Sequence, residues 1–301
     1  MPGHDRGFGI VDMSGTRQVL AAITAAALSL PMSLRGQEAP AWLSELGYNS
    51  GQLHPISVGT YGLPFVEVVI NGRAVELPFD TGDMVGVSLT RSLIEELGLP
   101  RVGEWTSIDS EGRVAGRHGI FRADSVEVAD VVHRDQSIYE LVSPALPGLI
   151  GPQLLHGRRF TVDYVRGLLA IADDALPDSI AGVLPLVRSK RHPDLLLVRG
   201  RVGGREVLIE IDSGKSRSTI DPELARDLGL PINHGGAELE ALELGALTFS
   251  VPSAKLVVLR GIDRELPEPI LVGVGSDVLR QVVWTVGHIH GVVLLQRRGG
   301  V

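Results

Sequence analysis

One stretch of this chain occurs twice. Val75-Glu76-Leu77-Pro78-Phe79-Asp80-Thr81-Gly82 returns as Val207-Leu208-Ile209-Glu210-Ile211-Asp212-Ser213-Gly214, each time an apolar, strand-like approach that ends in Asp-[Thr/Ser]-Gly. A tripeptide this loose carries little by itself, whereas its repeated surroundings carry much more. Upstream, Asn71-Gly72-Arg73 and Gly203-Gly204-Arg205 are matching hairpin turns, and Gly72 to Asp80 is the same step as Gly204 to Asp212. Downstream, Leu97-Gly98-Leu99-Pro100 matches Leu228-Gly229-Leu230-Pro231 after a single-residue indel. Residues 151–169 then lie over residues 275–293 without a gap, keeping Thr161-Val162 on Thr285-Val286 and Gly167 on Gly291. Self-similarity of this kind is an internal duplication. It restricts the fold to two copies of one strand-rich unit, each presenting one aspartate where a strand ends.

Two such units suggest carboxylates that meet at a pseudo-twofold axis. Carboxylates held close together cannot both ionise easily, so they share one proton. The ionised partner then acts as general base on a water while the protonated one polarises a carbonyl.

The chain resembles the retropepsin-like and pepsin-like aspartic peptidases over residues 55–297. The motifs that carry the resemblance are Asp80-Thr81-Gly82, Asp212-Ser213-Gly214 and a later apolar-apolar-glycine element. That element is clear as Leu149-Ile150-Gly151 and blurred as Leu271-Val272-Gly273-Val274-Gly275, where spacing favours Val274-Gly275. The resemblance implies an all-β fold with few short helices, built as two pseudo-symmetric retropepsin-like lobes in a bilobal acid-protease arrangement. Residues 55–172 form the first lobe, 173–183 the connection and 184–297 the second lobe. Asp80 and Asp212 are the expected catalytic pair. Thr81 and Ser213 are expected to hydrogen-bond to backbone of the opposite lobe, and Gly82 and Gly214 to leave room at the carboxylates. Ile150-Gly151 and Val274-Gly275 are expected behind the catalytic turns, each followed by a short helix at 152–156 and 276–281.

The chain departs from the family pattern immediately after each tripeptide. Where the family has a small residue, Asp83 stands in one lobe and Lys215 in the other. A unit charge about 6 Å from the dyad, at an effective dielectric of about 20, is worth roughly 2–3 kcal/mol, or about two pKa units. Both residues are therefore candidates for tuning the dyad. The pseudosymmetry suggests that they face each other and cancel, and the alternative is that both point to solvent.

The stretch 101–121 is glycine-rich and polar, with Ser110-Glu111-Gly112 as a hairpin tip, and the second half lacks a counterpart of that length. One substrate-binding flap, supplied by the first lobe, is the expectation; such lids exclude water and hold substrate. Helix spacing follows each catalytic turn, over 90–97 and again from Pro222 to Leu228. Residues 19–30 form an apolar run of secretory length behind Arg17, too short to span a bilayer comfortably. Residues 1–36 accordingly read as a signal peptide or an uncleaved membrane anchor of an exported protein, and 37–54 as a linker.

The formal net charge of −8 and the lack of a basic stripe argue against nucleic acid as a partner. The absence of cysteine excludes disulfides and thiolate chemistry. His288-Ile289-His290 has the look of a metal-ligand pair, but it falls where the first half has the hairpin turn Tyr164-Val165-Arg166, so no metal is expected. Arg158-Arg159 reads as a solvated helix end. The expected activity is aspartic endopeptidase chemistry on an extended polypeptide, by a monomer without a cofactor. The alternative is an exported, catalytically silent relative that binds peptides or a partner protein in the same cleft.

Overall fold

A computed structural model of the chain describes residues 41–297 other than 60, 109–113, 142–145, 174–175, 178–179, 234, 260–265 and 267. The segment 1–36 and the hairpin tip Ser110-Glu111-Gly112 lie outside the described residues.

Strands dominate, with few short helices. The first half runs α1 (Ala41–Glu45), β1 (Leu53–Val58), β2 (Pro64–Ile70), β3 (Arg73–Pro78), β4 (Val87–Leu89), α2 (Arg91–Glu96), β5 (Arg101–Ile108), β6 (Val114–Val128), β7 (Val131–Glu140), β8 (Gly148–Ile150), β9 (Arg159–Asp163) and β10 (Leu168–Ala172). The second half runs β11 (Leu184–Pro185), β12 (Leu197–Val202), β13 (Arg205–Ile211), β14 (Thr219–Ile220), α3 (Pro222–Asp227), β15 (Ile232–Asn233), β16 (Gly236–Leu244), β17 (Leu247–Leu256), β18 (Ile270–Val274), α4 (Ser276–Leu279), β19 (Val282–Gly287) and β20 (Val292–Arg297).

The hairpins β2–β3 and β12–β13 turn on Asn71-Gly72 and Gly203-Gly204, all four residues at positive φ. That conformation matches the twist of the strands they join, and Gly and Asn adopt it at low cost. Each hairpin delivers its aspartate beside a parallel partner. Phe79 bridges to Ile150, and β13 pairs with β18 through Ile211 and Val274. The helix after each Asp-[Thr/Ser]-Gly turn starts on a side-chain cap, Thr90 for α2 and Asp221 for α3.

The halves are joined by strand pairing. The order β11-β20-β19-β9-β10-β1 is continuous, and at its middle β9 pairs antiparallel with β19, Thr161 opposite Thr285. Their hydroxyls lie 2.7 Å apart. One apolar core runs through both halves, with Phe160 edge-on to Phe79 at 5.4 Å and to Trp284 at 5.8 Å between ring centres.

Two expectations need correction. From residue 41 onward the segment read as a linker is packed: Leu43, Leu46 and Tyr48 are buried in a second apolar cluster with Leu168, Ala170 and Leu294. The Tyr48 hydroxyl is 2.9 Å from that of Thr161. Arg159, read as solvated, is buried on β9 with its guanidinium 4.0 Å from the centre of the Tyr48 ring, and it donates to the carbonyl of Leu46. The long β5–β6 hairpin leads to the undescribed tip, while β15, its positional counterpart, is only two residues long.

Candidate active site

The two Asp-[Thr/Ser]-Gly turns meet. Thr81 Oγ1 donates to the carbonyl of Ile211 at 2.8 Å and accepts from Ser213 N at 3.0 Å. Ser213 Oγ donates to the carbonyl of Phe79 at 2.5 Å and accepts from Thr81 N at 3.1 Å. Both hydroxyls are fully buried. Each turn therefore reads the main chain of the other, which sets the distance between the aspartates that follow from it.

The aspartates are correspondingly close. A Cβ built on Gly214 would fall 2.1 Å from Cγ of Asp80, and one on Gly82 would fall 2.5 Å from Oδ2 of Asp212. No side chain fits at either position. The Asp80 and Asp212 carboxyl groups are within hydrogen-bonding reach of each other. Gly82 N donates to Asp80 at 2.8 Å and Gly214 N to Asp212 at 2.9 Å. Behind the turns, Asp80 N donates to Ile150 O at 2.8 Å and Asp212 N to Val274 O at 2.9 Å. Gly151 and Gly275 lie where a side chain would strike Asp83 and the carbonyl of Lys215 respectively. Ser276, the first residue of α4, donates its hydroxyl to Ser213 O at 3.3 Å.

Asp83 and Lys215 do not face each other. Asp83 turns back on its own loop, accepting from Gly86 N at 2.8 Å and Val85 N at 3.3 Å. A polar residue in a tight turn satisfies nearby backbone donors first. Lys215 instead places its ammonium on Asp212 Oδ2 and on Glu210 Oε2, the latter at 2.6 Å. Glu210 was not legible as a site residue. Its signal was an acid inside an otherwise apolar strand, since a buried carboxylate needs a partner. Gly273 stands where the first half has Leu149, and a Cβ there would strike Thr219 Oγ1 at 2.5 Å, with Lys215 Nζ further off at 3.4 Å.

The electrostatics follow from this packing. Burial, then Asp212, then Asp83 hold the Asp80 carboxyl well above the usual range, favouring its protonated form. Burial raises Asp83 to about 6, against the pull of its backbone donors. Burial also raises Glu210, with Lys215 opposing the shift. For Lys215 burial disfavours the charge, but Asp212 and Glu210 outweigh it and keep the ammonium above the ordinary lysine value. The site thus sets an Asp80 carboxyl that favours its protonated form beside an Asp212 carboxyl that bears the Lys215 ammonium. No family model matches the chain, and no curated protein matches it in sequence.

Proposed function

We propose that the chain is an aspartic endopeptidase of two pseudo-symmetric lobes, using a water held between Asp80 and Asp212. The observation that carries the reading is the reciprocal seating of each carboxylate against the glycine of the other tripeptide. Asp212, paired with Lys215, serves as the base, and Asp80 holds the shared proton.

In the forward step water attacks the scissile carbonyl carbon, giving its proton to Asp212 while Asp80 passes its proton to the carbonyl oxygen. The tetrahedral diol then collapses. Asp212 delivers its proton to the amide nitrogen, the C–N bond breaks, and a hydroxyl proton returns to Asp80. Carboxyl and amine products leave both aspartates as they began, with no acyl-enzyme and no cofactor required. An extended polypeptide with apolar residues flanking the cut is the substrate class, covered by the β5–β6 hairpin. We place the enzyme outside the cytoplasm on the apolar run at 19–30. No helix among the described residues is long and apolar enough to cross a membrane.

The second reading, a silent peptide-binding relative, is favoured by one observation: the ammonium of Lys215 occupies an oxygen of Asp212. Hydrolysis of an unstructured protein between about pH 3 and 8 separates the two readings. Peptidase chemistry predicts turnover that is lost in Asp80→Asn and blocked by a statine-type transition-state mimic. Peptide binding without turnover at any pH favours the silent relative.

A further inference from the structure

Three side chains distant in sequence converge beside the joint between the halves. His156 follows the 3-10 turn Pro152–Leu155 of the first half, Asp194 precedes β12, and His288 opens the turn between β19 and β20. His156 Nδ1 is 2.5 Å from Asp194 Oδ1, and His288 Nε2 is 3.7 Å from the same oxygen. One ligand atom from each lies within 4.8 Å of the others. The two imidazole rings are 5.1 Å apart, tilted by 58°.

We propose that His156, Asp194 and His288 form a site for one divalent transition-metal ion, zinc fitting best, that ties the first half of the chain to the second. Two imidazoles and one carboxylate are the donors borderline ions take, whereas calcium and magnesium demand oxygen shells. Tetrahedral zinc with bonds of about 2.0–2.2 Å sets its ligand atoms roughly 3.3–3.6 Å apart, between the two separations seen here. A small movement of the exposed His156 ring closes the difference.

The independent observation is His288. Its residue is 5% exposed, and Nε2, the nitrogen aimed at Asp194, has no hydrogen-bond partner among the described residues. Buried polar atoms are nearly always paired, so an orphan pointing at a carboxylate and a second imidazole asks for a ligand. The His156 side chain is 61% exposed, which provides an entry path and leaves a coordination position to water.

Arg188 works both ways. Its guanidinium donates to Pro193 O at 3.1 Å and His288 O at 2.8 Å, fixing the loop and turn that carry two of the ligands. As a cation it also weakens the site, and the Asp194 carboxylate opposes that. The spacing of His288 and His290 plays no part, because His290 is exposed on the turn.

The test uses untagged full-length protein stripped with a chelator, titrated with zinc by calorimetry and with cobalt by visible absorption. One equivalent of zinc binds, cobalt shows the absorption of a low-coordinate ion, and zinc raises the melting temperature. His156→Ala, at an exposed position, keeps the metal-free melting temperature, weakens zinc binding by at least about tenfold and abolishes the thermal rise. His288→Ala shows the same loss of binding. Asp80→Asn binds zinc like the wild type. Absence of saturable one-to-one binding, wild-type affinity in His156→Ala, or loss of binding in Asp80→Asn each overturns the assignment.

Discussion

Replacing Lys215 by methionine keeps the length of the side chain and removes its charge. The ammonium bonds Asp212 directly and sits 2.6 Å from Glu210. Opposite unit charges about 4 Å apart at an effective dielectric of about 20 gain roughly 4 kcal/mol, about three pKa units. The side chain is 23% exposed and shares its charge with Glu210, which brings the expected effect on the dyad to about two units. Without the ammonium, ionising the carboxyl pair costs more, so both proton losses move to higher pH. The assay is kcat/KM on a fluorogenic unstructured peptide from about pH 3 to 9, which reports the dyad of the free enzyme. The acid limb of the Lys215→Met profile is expected about two units higher than that of the wild type. Glu210→Gln leaves the cation undiluted and moves the limb down by about one unit. An acid limb that stays put in Lys215→Met, or moves down, refutes the argument that this ammonium eases ionisation of the carboxyl pair.

Other consequences are as direct. Thr81→Ala strips partners from Ile211 O and Ser213 N at a fully buried site, and chemical denaturation should show a loss of about 1–3 kcal/mol. Gly214→Ala drives a methyl group into Asp80 and should lower kcat at least about a hundredfold, with binding of a statine-type mimic falling alongside. Asp83, raised from 3.8 to about 6, holds its proton longer in the folded chain than in the unfolded one. Its contribution therefore lowers stability as pH rises from about 4 to about 6, and Asp83→Asn should flatten that part of a melting-temperature profile. Deleting residues 41–48 removes the buried Leu43, Leu46 and Tyr48, and should cost several degrees of melting temperature.

The strand framework and the meeting of the two turns were legible because duplication is a property of spacing. The hairpin glycines, the capped helices and the apolar approach to each aspartate recur at fixed steps, and local chemistry decides all of them. What escaped notice lies where the copies differ. Pro78 became Glu210, Asp83 became Lys215, and Leu149 became Gly273. The first two of these changes make one arrangement, a cation and its second partner. Pseudosymmetry suggested cancellation between Asp83 and Lys215, but each side chain found nearer partners on its own half. The burial of Arg159 beneath Tyr48 was likewise hidden, because it depends on a helix too short to announce an apolar face.

The pairing of β9 with β19 also bears on what either half could do alone. A first half expressed without the second would leave β9 with a row of bare amide and carbonyl groups, an unstable edge in water. The strand that best completes it is another β9, with Thr161 opposite Thr161 in place of Thr285. Such a fragment would self-associate as a two-fold dimer, bringing one Asp80 to another, and it would lack both Lys215 and Glu210. Its carboxylates would then be chemically equivalent, with nothing to decide which of them keeps the proton.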